Sequence, residues 1–208
     1  MSDISELAKA ISVCTLCKLY ETRTRAVPGE GPENAKLMMV GEGPGFNEDQ
    51  QARPFVGAAG KFLDELLASV DIKRSDVYIT NVVKCRPPNN RDPLPNEVQT
   101  CCTTYLDKQV EFIKPKVIVT LGRYSMGRFL PNETISKVHG KVFKYKGITI
   151  YPLYHPAAAL HQGNLRKTIE DDFKRVPDLL KQINETPQPP LLIKKPDEPP
   201  KPKQISMF

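Results

Sequence analysis

Four short, nearly all-apolar runs, each closed by a glycine-, proline- or polar-rich motif, constrain this chain more than any other feature. They are Lys36-Leu37-Met38-Met39-Val40, Val77-Tyr78-Ile79-Thr80-Asn81-Val82-Val83, Lys116-Val117-Ile118-Val119-Thr120-Leu121 and Ile148-Thr149-Ile150-Tyr151-Pro152-Leu153. Runs of this length without polar alternation suit strands covered on both faces. Between the first three lie segments with apolar residues three and four apart, Gly60–Leu67 and Tyr105–Ile113, which read as helices. Strand, helix, strand at these distances requires crossover connections and hence a parallel sheet. A shorter connection precedes the fourth run, and in it Lys141–Gly147 reads as a local hairpin; one last helix is expected near Leu165–Ile183. The expected fold is therefore α/β, a single domain with a parallel sheet flanked by helices.

The polar motifs all follow strand ends. Gly41-Glu42-Gly43-Pro44-Gly45 follows the first run, Asn81 and Lys84-Cys85-Arg86-Pro87-Pro88 close the second, Gly122-Arg123 follows the third and His155-Pro156 the fourth. Ligands of open α/β sheets bind outside the carboxyl ends of the strands, so these motifs are expected to meet in one cleft. The domain occupies residues 1–185. Residues 186–208 hold seven of the chain's 20 prolines among four lysines and read as an extended, disordered tail.

Net charge enters at this point. Thirty Lys and Arg against 24 Asp and Glu give +6, compatible with a polyanionic partner. No apolar window is long enough to span a membrane, and the amino-terminal segment lacks the apolar stretch of a signal peptide, so a cytoplasmic protein is expected. Five cysteines in such a chain argue for metal binding or free thiols over disulfides. Cys14-x2-Cys17 has chelating spacing; Cys85 and either Cys101 or Cys102 supply a second pair, with one cysteine surplus. Zinc and an iron–sulfur cluster both accept four thiolates, and spacing does not choose between them.

Around the glycine-rich loop, Phe46 stands where a dinucleotide fingerprint needs glycine, and Pro44 lacks an amide a phosphate would use. A nicotinamide cofactor is thereby disfavoured. The Glu42 and Gly43 amides can instead hold a carbonyl oxygen that gains negative charge. A second Gly-Glu-Gly-Pro, residues 29–32, has no strand before it and reads as a turn. Phe55, between Pro54 and Val56-Gly57, is either a stacking surface for a flat ring or ordinary core. Asn81, inside an apolar strand, is either a satisfied core amide or a reader of a planar ligand's edge. His155 is the best placed of the three histidines for chemistry.

In this order along the chain, Cys14-x2-Cys17, Ala26–Gly31, Gly41–Gly45, Glu48-Asp49, Arg53–Gly57, Thr80–Pro88, the second cysteine pair and His155–Leu160 resemble the family 4 uracil-DNA glycosylases of thermophilic bacteria and archaea, over residues 10–180. The resemblance implies a four-stranded parallel sheet flanked by helices, a [4Fe-4S] cluster on Cys14, Cys17, Cys85 and Cys101, and a monofunctional enzyme of base excision repair that flips uracil from DNA and hydrolyses its N-glycosidic bond. Phe55 would stack on the uracil and Asn81 would pair with its O4 and N3–H. The backbone at Glu42 and Gly43, with His155, would face O2, Gly41 would belong to the same substrate-binding loop, and Glu42 or Glu48 would orient water or stabilise the sugar cation. Relatives that trap DNA covalently carry a histidine-containing insertion after the third cysteine; residues 86–95 have neither, so ordinary turnover is expected.

The partner implied is uracil-containing DNA, single- or double-stranded, bound by a monomer. Backbone contacts are expected from Lys84, Arg86, Arg91, Arg123 and Arg166, with Leu160 as the wedge filling the vacated stack. Gln204-Ile205-Ser206-Met207-Phe208 looks like a shortened sliding-clamp peptide. Two other readings compete: a non-catalytic iron–sulfur DNA-binding module, indifferent to loss of Asn81 or His155, and a nucleotide-handling enzyme that would bind free nucleotide without DNA.

Overall fold

A computed structural model describes residues 3–185 of the chain. Its centre is a five-stranded sheet of β1 (Leu37–Gly41), β2 (Val77–Asn81), β3 (Val117–Leu121), β4 (Phe143–Tyr145) and β5 (Ile148–Leu153), in the order β2-β1-β3-β5-β4. β2, β1, β3 and β5 run parallel, in registers that include Gly41 opposite Asn81 and Leu121 opposite Leu153. These four strands are the four apolar runs. The expectation of four strands falls short by one. β4 pairs antiparallel with β5 through a two-residue turn at Lys146 and Gly147, both with positive φ, the backbone that suits a tight hairpin. The hairpin read at Lys141–Gly147 is thus half of one, and its second strand is the fourth apolar run itself.

Alternation along each strand divides the core between two faces. Met38, Val40, Tyr78, Ile118 and Ile150 pack on one side with Leu7 and Ile11 of α1 (Ile4–Ser12) and with Ile113, Met126 and Phe129. Leu37, Met39, Ile79, Val119, Tyr151 and Leu153 pack on the other, against Leu63, Leu66 and Leu67 of α3 (Ala58–Ala68). α2 (Phe46–Gln51) precedes α3 at the top of the sheet. The expected helix at 105–113 begins as a π-turn over Cys102–Leu106, which continues α4 (Pro95–Cys101) into α5 (Asp107–Ile113). α6 (Arg123–Phe129) and α7 (Ile135–Val138) follow β3, and α8 (Pro156–His161) follows β5.

The expected single last helix is two, α9 (Gly163–Phe173) and α10 (Val176–Glu185), separated by Lys174 and Arg175. Pro177 has no amide to extend the earlier helix but is tolerated in the first turn of the next. The expected tail, 186–208, and with it the clamp-like peptide, lies outside the described residues.

Candidate active site and thiolate site

The strand-end motifs converge as topology requires. A cleft of about 400 Å3 opens at the carboxyl ends of β1, β2 and β5, with Glu42, Gly43, Glu48, Phe55, Asn81, Arg91 and His155 in its walls. Gly41 lies directly behind. A Cβ there would stand 2.4 Å from Asn81 Oδ1 and 2.6 Å from Phe55 Cζ, so only glycine lets the amide and the ring meet over the end of β1.

Asn81 is 2% exposed, and its Oδ1 is buried without a hydrogen-bond partner. An unpaired buried acceptor costs about 1–3 kcal/mol. Such a group at the wall of a cleft is set to accept from something that enters it. Phe55 is buried, sits at φ +51, and stacks on His155 with ring centroids 5.6 Å apart. Its loop is held from two directions. Glu48 Oε1 accepts from the Val56 and Gly57 amides at 2.9 and 2.8 Å, at the amino end of α3. Arg74 donates to the Pro54 carbonyl at 2.6 Å. One oxygen of Glu48 is therefore committed to the Phe55 loop, while the side chain still forms part of the cleft wall.

The His155 tautomer follows from a local cap. Its Nδ1 accepts from the Ala157 amide at 3.1 Å at the start of α8, so in the neutral ring the proton is on Nε2, which becomes the free donor. Burial pulls the imidazole pKa down to about 4, with Glu48 pulling weakly the other way. At neutral pH the ring is an uncharged donor. Burial also raises the Glu42 carboxyl, Asp92 adds to the rise and Arg123 opposes it.

Arg91 is fixed by a two-pronged pair with buried Glu97, at 2.9 and 2.7 Å. Arg86 donates to Asn90 Oδ1 at 2.7 Å. Arg123 pairs with Asp92, and Arg166 with Glu65 and Glu170. Leu160 is 48% exposed, three residues beyond the cleft-lining Ala157. Lys84, expected on the DNA backbone, is a correction. It is 1% exposed, and its ammonium donates to Thr80 Oγ1, the Asn81 carbonyl and Gln109 Oε1 at 2.6–2.7 Å, out of reach of any phosphate. Burial lowers its pKa to about 8, with the nearby thiols of Cys101, Cys102 and Cys85 working against the fall. Asn90, in the cleft wall, and Gln109, which accepts from the Lys84 ammonium, carry no role in the sequence reading; the consecutive positive φ angles of Asn89 and Asn90 have a sequence trace in the Asn-Asn pair, whereas Gln109 has none.

Apart from the cleft, Cys14, Cys17, Cys85 and Cys101 line one narrow cavity with Arg23 and Tyr105, and Cys102 is not among them. Arg23 donates to Cys85 Sγ at 2.9 Å, and the Lys84 amide to Cys101 Sγ at 3.4 Å. Among the described residues no three Cys, His, Asp or Glu side chains converge as a single ion would need; the four thiols are distributed around the cavity wall. Burial pushes the Cys101 thiol up to about 12 and also raises Cys85 and Cys17. Four sulfurs with amide and guanidinium donors aimed at them form a donor set suited to a soft, cationic group that would hold them as thiolates.

Residues 28–180 match the family model described as the uracil DNA glycosylase superfamily, and the chain belongs to that superfamily. Within it, the chain is 50% identical over 189 residues to the type-4 uracil-DNA glycosylase of Sulfurisphaera tokodaii, covering 86% of each. It is 48% identical over 189 residues to the type-4 enzyme of Archaeoglobus fulgidus, covering 86% of this chain and 94% of that one. The type-4 enzyme of Thermotoga maritima is 41% identical over 181 residues, 85% of this chain and 94% of its own. No described helix is long and apolar enough to cross a membrane.

Proposed function

We propose that the chain excises uracil from DNA as a monofunctional glycosylase of base excision repair, leaving an abasic site. The observation that carries the reading is the partnerless Oδ1 of Asn81 in the wall of a cleft that His155 also lines, its imidazole a neutral donor. Uracil presents an N3–H donor and an O4 acceptor on one edge. Asn81 Oδ1 accepts the first and its amide nitrogen donates to the second, a pattern cytosine reverses. The base is reached by flipping it from the strand, which costs roughly a few kcal/mol in a duplex. Phe55 stacks on the flipped ring.

As the N-glycosidic bond breaks, electrons flow to the base and charge builds on O2. The Nε2–H of His155 and the backbone amides at Glu42 and Gly43 stabilise that charge, each donor typically contributing 10²–10³ in rate. Glu42 and Glu48, both in the cleft wall, are assigned to the sugar, one carboxylate stabilising its developing cation and one orienting the incoming water. Glu48, tied to the Phe55 loop, has one oxygen left for this work.

A [4Fe-4S] cluster on Cys14, Cys17, Cys85 and Cys101 completes the proposal. Four thiols spread round a cavity fit a polynuclear centre, and when bound it supplies the positive charge that keeps buried sulfurs ionised and ties the amino-terminal segment to the segment after β2. Arg86, Arg91, Arg123 and Arg166 are proposed on the phosphate backbone and Leu160 in the vacated stack. Gln204–Phe208 is proposed to dock on a sliding clamp, the enzyme being a cytoplasmic monomer.

The test is strand cleavage after alkali, on labelled single-stranded and duplex DNA with one uracil, thymine or cytosine. Cleavage at uracil alone is expected, with Asn81→Ala and His155→Ala each losing at least 10²-fold while keeping the visible cluster absorbance. Full activity in both variants, or an inert protein with intact absorbance, would refute the enzymatic reading and leave a cluster-bearing DNA binder.

A further inference from the structure

Seven large apolar side chains are exposed among the described residues, and all but Val142 fall into two groups. Val13, Leu16 and Tyr20 flank the Cys14–Cys17 loop; Phe46, Leu94 and Leu160 each lie within three residues of a cleft-lining position. Phe46 is the aromatic one of the second group. It follows Gly45 of the cleft wall, opens α2, and leaves 57% of itself in solvent. The Arg86 guanidinium lies over its ring, 5.1 Å from the centroid. Arg86 is in turn held by Asn90, itself in the cleft wall. A planar cation and an aromatic ring are thus clamped together on the rim.

We propose that Phe46, backed by Arg86, is the stacking platform for the nucleobase adjacent to the flipped uracil on the same strand. The inference rests on the uracil-excising reading and adds to it a second subsite. A strand that delivers one base into the cleft must pass its neighbour across the rim. A neighbour that has lost one stacking partner is held best by another flat π-surface, and a guanidinium behind that surface faces the phosphate charge that accompanies the base. Every base has a π-face, so the subsite takes any of the four and reads none of them.

The experiment is a cycle between the ring and the base. KM and kcat are measured on a single strand with one uracil, for the wild type, Phe46→Ala, Phe46→Leu and Phe46→Trp. Each protein is tested on the intact strand and on strands with an abasic analogue 5′ or 3′ to the uracil. Base–aromatic stacking corresponds to about a tenfold change in KM. Phe46→Ala and Phe46→Leu are expected to raise KM by that factor at little change in kcat, and Phe46→Trp to match the wild type. Removing the neighbouring base on one side should raise KM about tenfold in the wild type and less than twofold in Phe46→Ala. Losses that multiply at both flanks, or a Phe46→Leu protein as good as the wild type, would overturn the platform. The same cycle read by fluorescence anisotropy as dissociation constants needs no turnover. An inert wild type would therefore refute the enzymatic reading while the platform is still judged by binding.

Discussion

Substituting Gly41 by alanine tests the geometry of the cleft more sharply than removing any group that touches the base. The added methyl adjoins no ligand. It would sit 2.4 Å from Asn81 Oδ1 and 2.6 Å from Phe55 Cζ, about 1 Å inside ordinary contact on both sides. Neither neighbour can yield freely. Asn81 ends a buried strand whose carbonyl is held by Lys84, and Phe55 is pinned by Glu48 and Arg74 through the backbone on either side of it. Overpacking of this kind costs about 1–3 kcal/mol of stability. Displacement of positioning groups by about 1 Å costs on the order of 10²-fold in rate. Single-turnover excision of uracil by Gly41→Ala is therefore expected to fall about 10²-fold, with unchanged cluster absorbance. Gly127→Ala is the control: it lies in α6 with nothing within 4 Å of its added Cβ, and it should leave the rate unchanged. A Gly41→Ala enzyme within threefold of the wild type would refute the argument that the amide and the ring are held in register across this glycine.

Three further outcomes are expected. Lys84→Met removes the donor shared by Thr80, Gln109 and the Asn81 carbonyl and should cost about 2–4 kcal/mol by thermal unfolding, while the salt dependence of DNA binding stays as in the wild type. Unfolded histidine takes up a proton near pH 6.5, but His155 in the folded protein resists until about 4, so His155 lowers stability as pH falls from 6.5 to 4 and adds no further loss below. Denaturation midpoints of the wild type and His155→Asn should therefore converge through this window, and a constant difference would contradict it. Serine at Cys14, Cys17, Cys85 or Cys101 should bleach the visible absorbance of the purified protein, whereas Cys102→Ser should keep it.

The parallel strands are legible because burial on both faces leaves little that is polar to interrupt them, and the order of the motifs at their ends locates the cleft. β4 was not readable as a strand of this sheet. It has three half-buried residues, Phe143-Lys144-Tyr145, and takes its identity from β5 alongside it. Lys84 misled for a physical reason. A lysine between Val83 and Cys85 reads as a solvent cation, and the groups that satisfy it come from β2 and from Gln109 on a helix 25 residues away. Asn81 and His155 stood out as polar groups at the ends of apolar runs. Which His155 nitrogen is free was invisible, because it depends on an amide two residues on being turned back by α8.

The second Gly-Glu-Gly-Pro, read as a turn, does something a sheet of this kind requires. Glu30 pairs antiparallel with Ile79, exchanging amide and carbonyl at 2.9 and 2.8 Å along the outer rim of β2. Gly29 and Gly31, at φ +122 and +132, press so close that a Cβ on Gly31 would stand 2.2 Å from the Val77 carbonyl. The Glu30 carboxyl rivets this strap. Although burial opposes ionisation, Arg53 and Arg74 hold it below the usual range. At the far rim, β4 is three residues long and carries Lys144, with Lys146 in the turn beyond it. A strand with free amides is a template on which another chain can polymerise, and short, charged or strapped rims deny it that role. Heat or a lesion that loosens the strap before the core would turn β2 adhesive, so the first sign of failure in a concentrated sample would be self-association with the cleft still formed.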